Sequence, residues 1–148
     1  MANPYINVYM NNPTAGQTNG TQVSLDGAQT TPISVTLDAG VAEHKIVKLA
    51  VRCETGYTTT GNTTITAHDI NPDDAINNTS KWTFAADNNY ANAEAAEAAT
   101  FSSSLTIGTP IGTTNTVFWA KATSDTTEAP GRDTTVALQV SATITAAD

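Results

Sequence analysis

An all-β, antiparallel sandwich is the fold class this 148-residue chain predicts, and three observations carry the prediction. Residues 135–146 alternate strictly, with Val136, Leu138, Val140, Ala142 and Ile144 on one side and Thr135, Gln139, Ser141, Thr143 and Thr145 on the other. Period-two alternation of this length means a strand with one face in a core and one in water. Shorter copies of the pattern recur along the chain, each punctuated by Gly, Pro or Asn, as in antiparallel sandwiches. Threonine, whose β-branched side chain fits a pleated half-wet surface, makes up roughly a fifth of the residues.

The elements follow in order. Ile6, Val8 and Met10 alternate with Tyr5, Asn7 and Tyr9 in a first strand, and Asn11-Asn12-Pro13-Thr14-Ala15-Gly16 is turn chemistry. Val23 and Leu25 mark a second, brief strand. Ile33, Val35 and Leu37 mark a third, which Asp38-Ala39-Gly40 turns into a hairpin. Over residues 43–54, Val47, Leu49, Val51 and Cys53 share one face while Lys48, Ala50 and Arg52 share the other, as in a central strand. Residues 56–62 read as a polar turn, Ile65 and Ala67 as a short strand, and residues 68–74 as an acidic loop. Trp82 and Phe84 are a same-face pair on a strand ending near Ala86.

The rhythm then breaks. Residues 91–99 are Ala-rich with high helix propensity but no apolar stripe, so a short exposed helix or a mobile loop insertion is expected near residues 90–100. Leu105 and Ile107 resume the strands, Gly108-Thr109-Pro110-Ile111-Gly112 is a corner, and residues 116–123 are a strong strand. An acidic loop over residues 124–133 leads to the final strand. No composition shift or repeat divides the chain, so one domain over residues 1–148 is expected.

Bulk properties exclude some function classes. Asp and Glu outnumber Lys and Arg by 14 to 6, for a net charge of -8, which opposes binding to nucleic acid and to anionic membranes. Charged residues are only 14% of the chain, so solubility rests on Thr, Asn and Ser. Cys53 is the single cysteine, so no intrachain disulfide is available, and its place on the apolar face makes it a small core residue. The opening residues lack the basic start and apolar run of a secretory signal.

No catalytic, metal or cofactor constellation emerges. Asp69-x-Asn71-x-Asp73 opens like a calcium loop, but Asp74 and Ser80 occupy the positions that need Gly and a bidentate Glu, so a solvated turn is the better reading. His44 and His68 lack zinc-pair spacing, and no nucleophile elbow accompanies the many Ser and Asp residues. The chain therefore reads as a non-enzyme without a cofactor. Trp82 and Trp119 are expected in the core before they serve as a sugar platform.

Three stretches carry a resemblance: Asn3-Pro4-Tyr5-Ile6-Asn7-Val8-Tyr9 with Asn12-Pro13-Thr14-Ala15-Gly16; Glu54-Thr55-Gly56-Tyr57-Thr58-Thr59-Thr60-Gly61; and Val117-Phe118-Trp119-Ala120-Lys121-Ala122-Thr123. This layout resembles small immunoglobulin-like structural proteins of tailed bacteriophages and prophages. The resemblance implies an immunoglobulin-like β-sandwich that serves as a head decoration or tail surface module of the virion. It implies capsid or tail proteins as partners, with a homo-oligomer as a further option, and manufacture in a bacterial cytoplasm followed by release on lysis. The Ala-rich insertion departs from the leaner family pattern.

Residues 3–16 are the expected attachment segment, because an edge strand can add to a partner's sheet. Tyr5, Asn7, Tyr9 and Pro13 in that segment, with Tyr57 and Tyr90 in loops, are the expected partner-binding residues. A carbohydrate-binding or adhesive surface domain, displaying tyrosines such as Tyr57 and Tyr90, is the alternative.

Overall fold

A computed structural model describes residues 4–23, 33, 35–37, 42–70, 78–124, 126 and 136–147. It is an antiparallel β architecture of two facing sheets. One sheet has the order β2-β1-β3-β7-β5, built from β1 (Ile6–Met10), β2 (Thr21–Gln22), β3 (His44–Cys53), β7 (Thr116–Thr123) and β5 (Trp82–Ala86). The other has the order β6-β4-β8, from β6 (Ser104–Ile107), β4 (Tyr57–Asp69) and β8 (Val136–Ala146). A single α-helical turn, α1 (Ala93–Ala96), lies between β5 and β6 in sequence.

Alternation places the main core as predicted. Ile6 and Val8 of β1, Leu49, Val51 and Cys53 of β3, Phe84 of β5 and Phe118 and Ala120 of β7 face Ile65, Leu105 and Leu138 of the three-stranded sheet. Direct pairs such as Leu49 with Phe118 and Ile65 with Val140 keep like faces together, since the period of two allows no one-residue slip without exposing the core. Cys53 is buried here, its Sγ 3.3 Å from the Ile111 carbonyl.

Four sequence expectations need correction or qualification. The polar turn expected over residues 56–62 is the first half of β4, a strand of 13 residues. Its threonines pair with Ile144, Thr143 and Thr145 of β8, and Gly61, at φ +69°, sits in a bulge where four residues of β4 span two of β8. The excess is an even number, so inside and outside keep their parity across the bulge. The third strand does not appear among its described residues: Ile33 and residues 35–37 have no regular structure, although Ile33 packs on the core. The second strand survives as β2, followed by buried Val23, while Leu25 lies outside the described residues. So do residues 71–77, with Asn71 and Asp73 of the calcium-like sequence, and most of the loop over residues 124–133.

The fourth correction concerns the edge. β1 is internal: it pairs with β3 through Ile6–Cys53, Asn7–Arg52, Val8–Val51 and Tyr9–Ala50, and with β2 through Tyr9–Gln22 and Met10–Thr21. The chain returns against β1 through Asn11 and Asn12, both in the left-handed region that asparagine tolerates, and through Gly20 at φ +112°. A Cβ on Gly20 would lie 3.0 Å from Tyr9 Cβ and 3.1 Å from the Met10 carbonyl oxygen, so only glycine permits this approach.

Thr63, fully buried on the inner side of the bulge, has a hydroxyl with no hydrogen-bond partner. A buried hydroxyl without a partner is a cost that an isosteric methyl removes. Thr63→Val is therefore expected to raise stability by up to about 1 kcal/mol, read as a higher denaturant midpoint at unchanged slope; a lower midpoint would refute the assignment.

Candidate functional site

Both sheets present an outer face, and the two faces differ chemically. On the five-stranded sheet the outer residues of β3 are His44, Ile46, Lys48, Ala50 and Arg52, beside Val117, Trp119 and Lys121 of β7 and Asn7 and Tyr9 of β1. Little of this face is bare. Ala50, Val117 and Trp119 form a second apolar cluster with Ala96 of α1, flanked by Ile46, Tyr90 and Phe101. The Ala-rich insertion thus lies over the sheet. Asn92 caps α1 by accepting from Ala95 N at 2.9 Å, and Ala96 is fully buried while its neighbours are exposed.

Trp119 is 1% exposed, and its Nε1 donates to Asp87 Oδ1 at 2.9 Å. Tyr90 meets the indole edge-on at 6.3 Å between centroids. Lys121 Nζ stands 4.5 Å over the Phe101 ring, and His44 Nε2 lies 2.7 Å from Glu97 Oε1, which ties both ends of the cover to the sheet. Tyr90 is therefore a packing residue of this cover and not a free contact point. Trp119 is likewise no sugar platform.

The rest of the face is closed by a polar lock. Arg52 stacks on Tyr9, its Cζ 3.4 Å from the ring centroid. Arg52 Nη1 donates to the Asn19 carbonyl at 3.0 Å and to Asn115 Oδ1 at 2.6 Å. Asn115 Nδ2 donates to the carbonyls of Thr14 and Asn19, while its backbone exchanges bonds with Gly16 and Gln17. On the other side of the Tyr9 ring, Glu54 Oε1 accepts from Tyr9 OH and Asn7 Nδ2, both at 2.9 Å.

This arrangement buries three residues expected to bind a partner. Asn7 is 1% exposed, Tyr9 6%, and Pro13 is fully buried. Their polar and aromatic groups are consumed internally because β1 lies inside the sheet. Sequence reasoning missed Asn115, Arg52 and Asn19, since each reads alone as an ordinary loop or surface residue. Asn115→Ala removes one side of several part-buried bonds at once and is expected to cost about 2–4 kcal/mol. Chemical denaturation measures this, and a cost under a few tenths would sink the lock.

The lock has a pH signature. Burial, and then the hydrogen bond to Glu54, push the Tyr9 phenol above its ordinary value of 10.0. A group raised in the folded state contributes stability that is complete below its unfolded pKa and lost as pH rises through the folded one. The protein is expected to lose stability above about pH 10, and Tyr9→Phe to flatten that part of the profile. Burial raises the Cys53 thiol as well, in the same sense, so the comparison is made in a Cys53→Ala background.

Tyr5 and Tyr57 remain. They meet at one end of the molecule, where Glu54 N donates to the Tyr5 carbonyl and the β3–β4 turn brings Tyr57 alongside. Their rings are edge-to-face at 4.9 Å and 78°; Tyr5 is 44% exposed and Tyr57 half-buried against the core.

The outer face of β6-β4-β8 is different in kind. Thr64 and Thr66 of β4 lie between Thr106 and Ser104 of β6 and Ser141 and Gln139 of β8, while Thr58, whose hydroxyl donates to the Ile111 carbonyl, and Thr60 lie beside Thr145 and Thr143 of β8. Thr64 stands opposite both Thr106 and Ser141, and Thr66 opposite both Ser104 and Gln139. Away from the bulge between Thr60 and Thr64, neighbours along a strand on this face repeat at roughly 6.8 Å and strands at roughly 4.8 Å, which sets the hydroxyls in rows. Among the described strand residues of this face, only His68, at the end of β4, is ionisable.

Among the described residues, no group of three or more His, Cys, Asp or Glu side chains is placed to hold a metal ion. No helix among them is long and apolar enough to cross a membrane. No protein-family model, curated protein or solved structure matches the chain.

Proposed function

We propose that this chain is a non-enzymatic structural module of a tailed phage or prophage particle. It would be an immunoglobulin-like head decoration or tail surface unit that docks on the capsid or tail lattice. The observation that carries the reading is the hydroxyl face of β6-β4-β8. Docking strips water from a surface, and that cost is large for charges and small for hydroxyls that find new partners. Thr and Ser also lose little rotamer freedom when pinned, unlike Lys, Glu or Arg. In a chain of net charge -8, a face whose described strand residues include no acid is well suited to close contact. The attachment role moves from residues 3–16 to this face, because β1 is occupied on both sides.

The test uses the bacterium that encodes the chain. Particles released by inducing its prophages are banded on a density gradient and probed with an antibody to this protein. The chain should band with the particles, and Thr64→Lys with Thr143→Lys should release it while leaving its thermal unfolding intact. A wild-type chain that stays with soluble lysate protein would overturn the reading.

The exposed Tyr5–Tyr57 pair favours a second reading, an adhesive domain that stacks a sugar ring. Saturable signal on a glycan array, abolished by Tyr5→Ala, supports it; a blank array removes it.

A further inference from the structure

We infer that β8 is a self-pairing edge, through which two copies of this chain join their three-stranded sheets into one six-stranded sheet. The inference is independent of the virion reading. Sheet edges carry unpaired N–H and C=O groups, and soluble proteins blunt them by shortness, charge, proline, bulges or cover. Three of the four outer strands here are blunted. β2 has two residues, and β6 has four and runs into the Gly108-Thr109-Pro110 corner. β5 has five, and Ser102 bridges its open side through two backbone bonds with Phe84, at 2.7 and 2.9 Å.

β8 is not blunted. It runs for 11 residues with no charge, proline or glycine, and among the described residues β4 is its only strand neighbour. The bulge that breaks the β4–β8 ladder lies on β4, so the residues of β8 stay continuous. Its core-facing Val140, Ala142 and Ile144 are only half-buried, whereas Ile65, opposite Val140 on the central strand, is fully buried. Among the described residues, burial is therefore less complete along this strand than along β4.

The occupant that fits is a second copy, because the strand is complementary to itself. A two-fold axis at Ser141 makes antiparallel partners of residues equidistant from it. Val140 then meets the partner's Ala142, Leu138 the partner's Ile144, and Gln139 the partner's Thr143. Core-facing residues meet core-facing ones and hydroxyl-face residues meet their own kind, as an isologous contact requires. The absence of charge means that no like pair is forced together. The product order is β6-β4-β8-β8-β4-β6, which doubles the hydroxyl face without interrupting it.

Sedimentation of the full chain over a wide concentration range tests this. A monomer–dimer equilibrium is expected. Ser141→Lys, at an exposed site, places two ammonium groups face to face and should raise the dimer dissociation constant by at least about tenfold with unchanged thermal unfolding. Ser141→Cys should give a disulfide-linked dimer on mild oxidation, since directly opposed Cβ atoms lie about 4.5–5.5 Å apart. Thr60→Cys, on the interior strand β4, should not. If the Lys variant fails to fold, the Cys pair decides. A chain that is monomeric throughout, or a dimer that the Lys variant leaves intact and the Cys variant does not link, overturns the proposal.

Discussion

Removal of residues 1–16 is expected to abolish cooperative unfolding, leaving a chain without a stable native state. β1 contributes Ile6 and Val8 to the main core, with Met10 packed against it, and Tyr9 to the lock. Burying each large apolar side chain is worth about 1.5–3 kcal/mol, so the apolar loss alone is about 6 kcal/mol. Whole domains of this kind are stable by only about 5–15 kcal/mol. The truncation also strips Asn115 of Thr14 and Gly16 and Arg52 of the Tyr9 ring, and leaves residues 50–53 of β3 unpaired on one side. Circular dichroism and a thermal melt of the truncated chain check this. A sharp transition near that of the full chain would show that β1 is dispensable, as an attachment arm on an intact body would be. Tyr5→Ala, which removes an exposed ring, serves as the control that should melt almost normally.

Trp119→Ala is expected to be the most damaging single substitution, at about 3–5 kcal/mol. Its effect comes from the outer side of the sheet. Losing the indole empties the centre of the cluster formed with Ala50, Ala96 and Val117, withdraws the edge contact from Tyr90, and takes from Asp87 the shorter of its two bonds, leaving the one from Tyr90 N. Trp119→Phe keeps an aromatic body but not the Nε1 donor, so it should fall between wild type and Ala. Hydrogen exchange adds a readout that a simple core defect would not move: residues 93–99 should lose protection in Trp119→Ala before the strands do. If the Ala-rich segment exchanges at the same rate in both proteins, it is no cover for Trp119. Equal stability of the Ala variant and wild type would refute the packing altogether.

Between them, these two results separate what alternation reveals from what it hides. Val47, Leu49, Val51 and Cys53 were legible as a core face because a period of two leaves no other place for them, and the structure puts them there. The final strand was legible to within a residue, for the same reason. Residues 57–62 were misjudged as a turn because Thr and Gly serve both loops and strands. The choice was made by β8, whose residues supply the ladder that holds Thr58, Thr59 and Thr60 extended. Tyr5 and Tyr57 were singled out as surface aromatics and do form a partly exposed pair. Tyr9 and Tyr90 stand out on the same grounds, and Asn7 and Pro13 as members of the expected attachment segment, and the fold buries or packs all four.

The sequence by itself determined that strands would form, which face of each strand would be apolar, and that the exterior would be poor in charge and rich in hydroxyls. These are local properties of side-chain branching and spacing, and they hold whatever the strands pair with. Strand order came only with the tertiary structure: it made β1 an interior strand, left β8 as the long outer strand among the described residues, and turned an unpatterned alanine segment into the cover of Trp119. Pairing and covering depend on residues far apart in the chain, such as Asn115 on Thr14 or Ala96 on Ala50. No short-range pattern records a contact whose two halves are separately unremarkable.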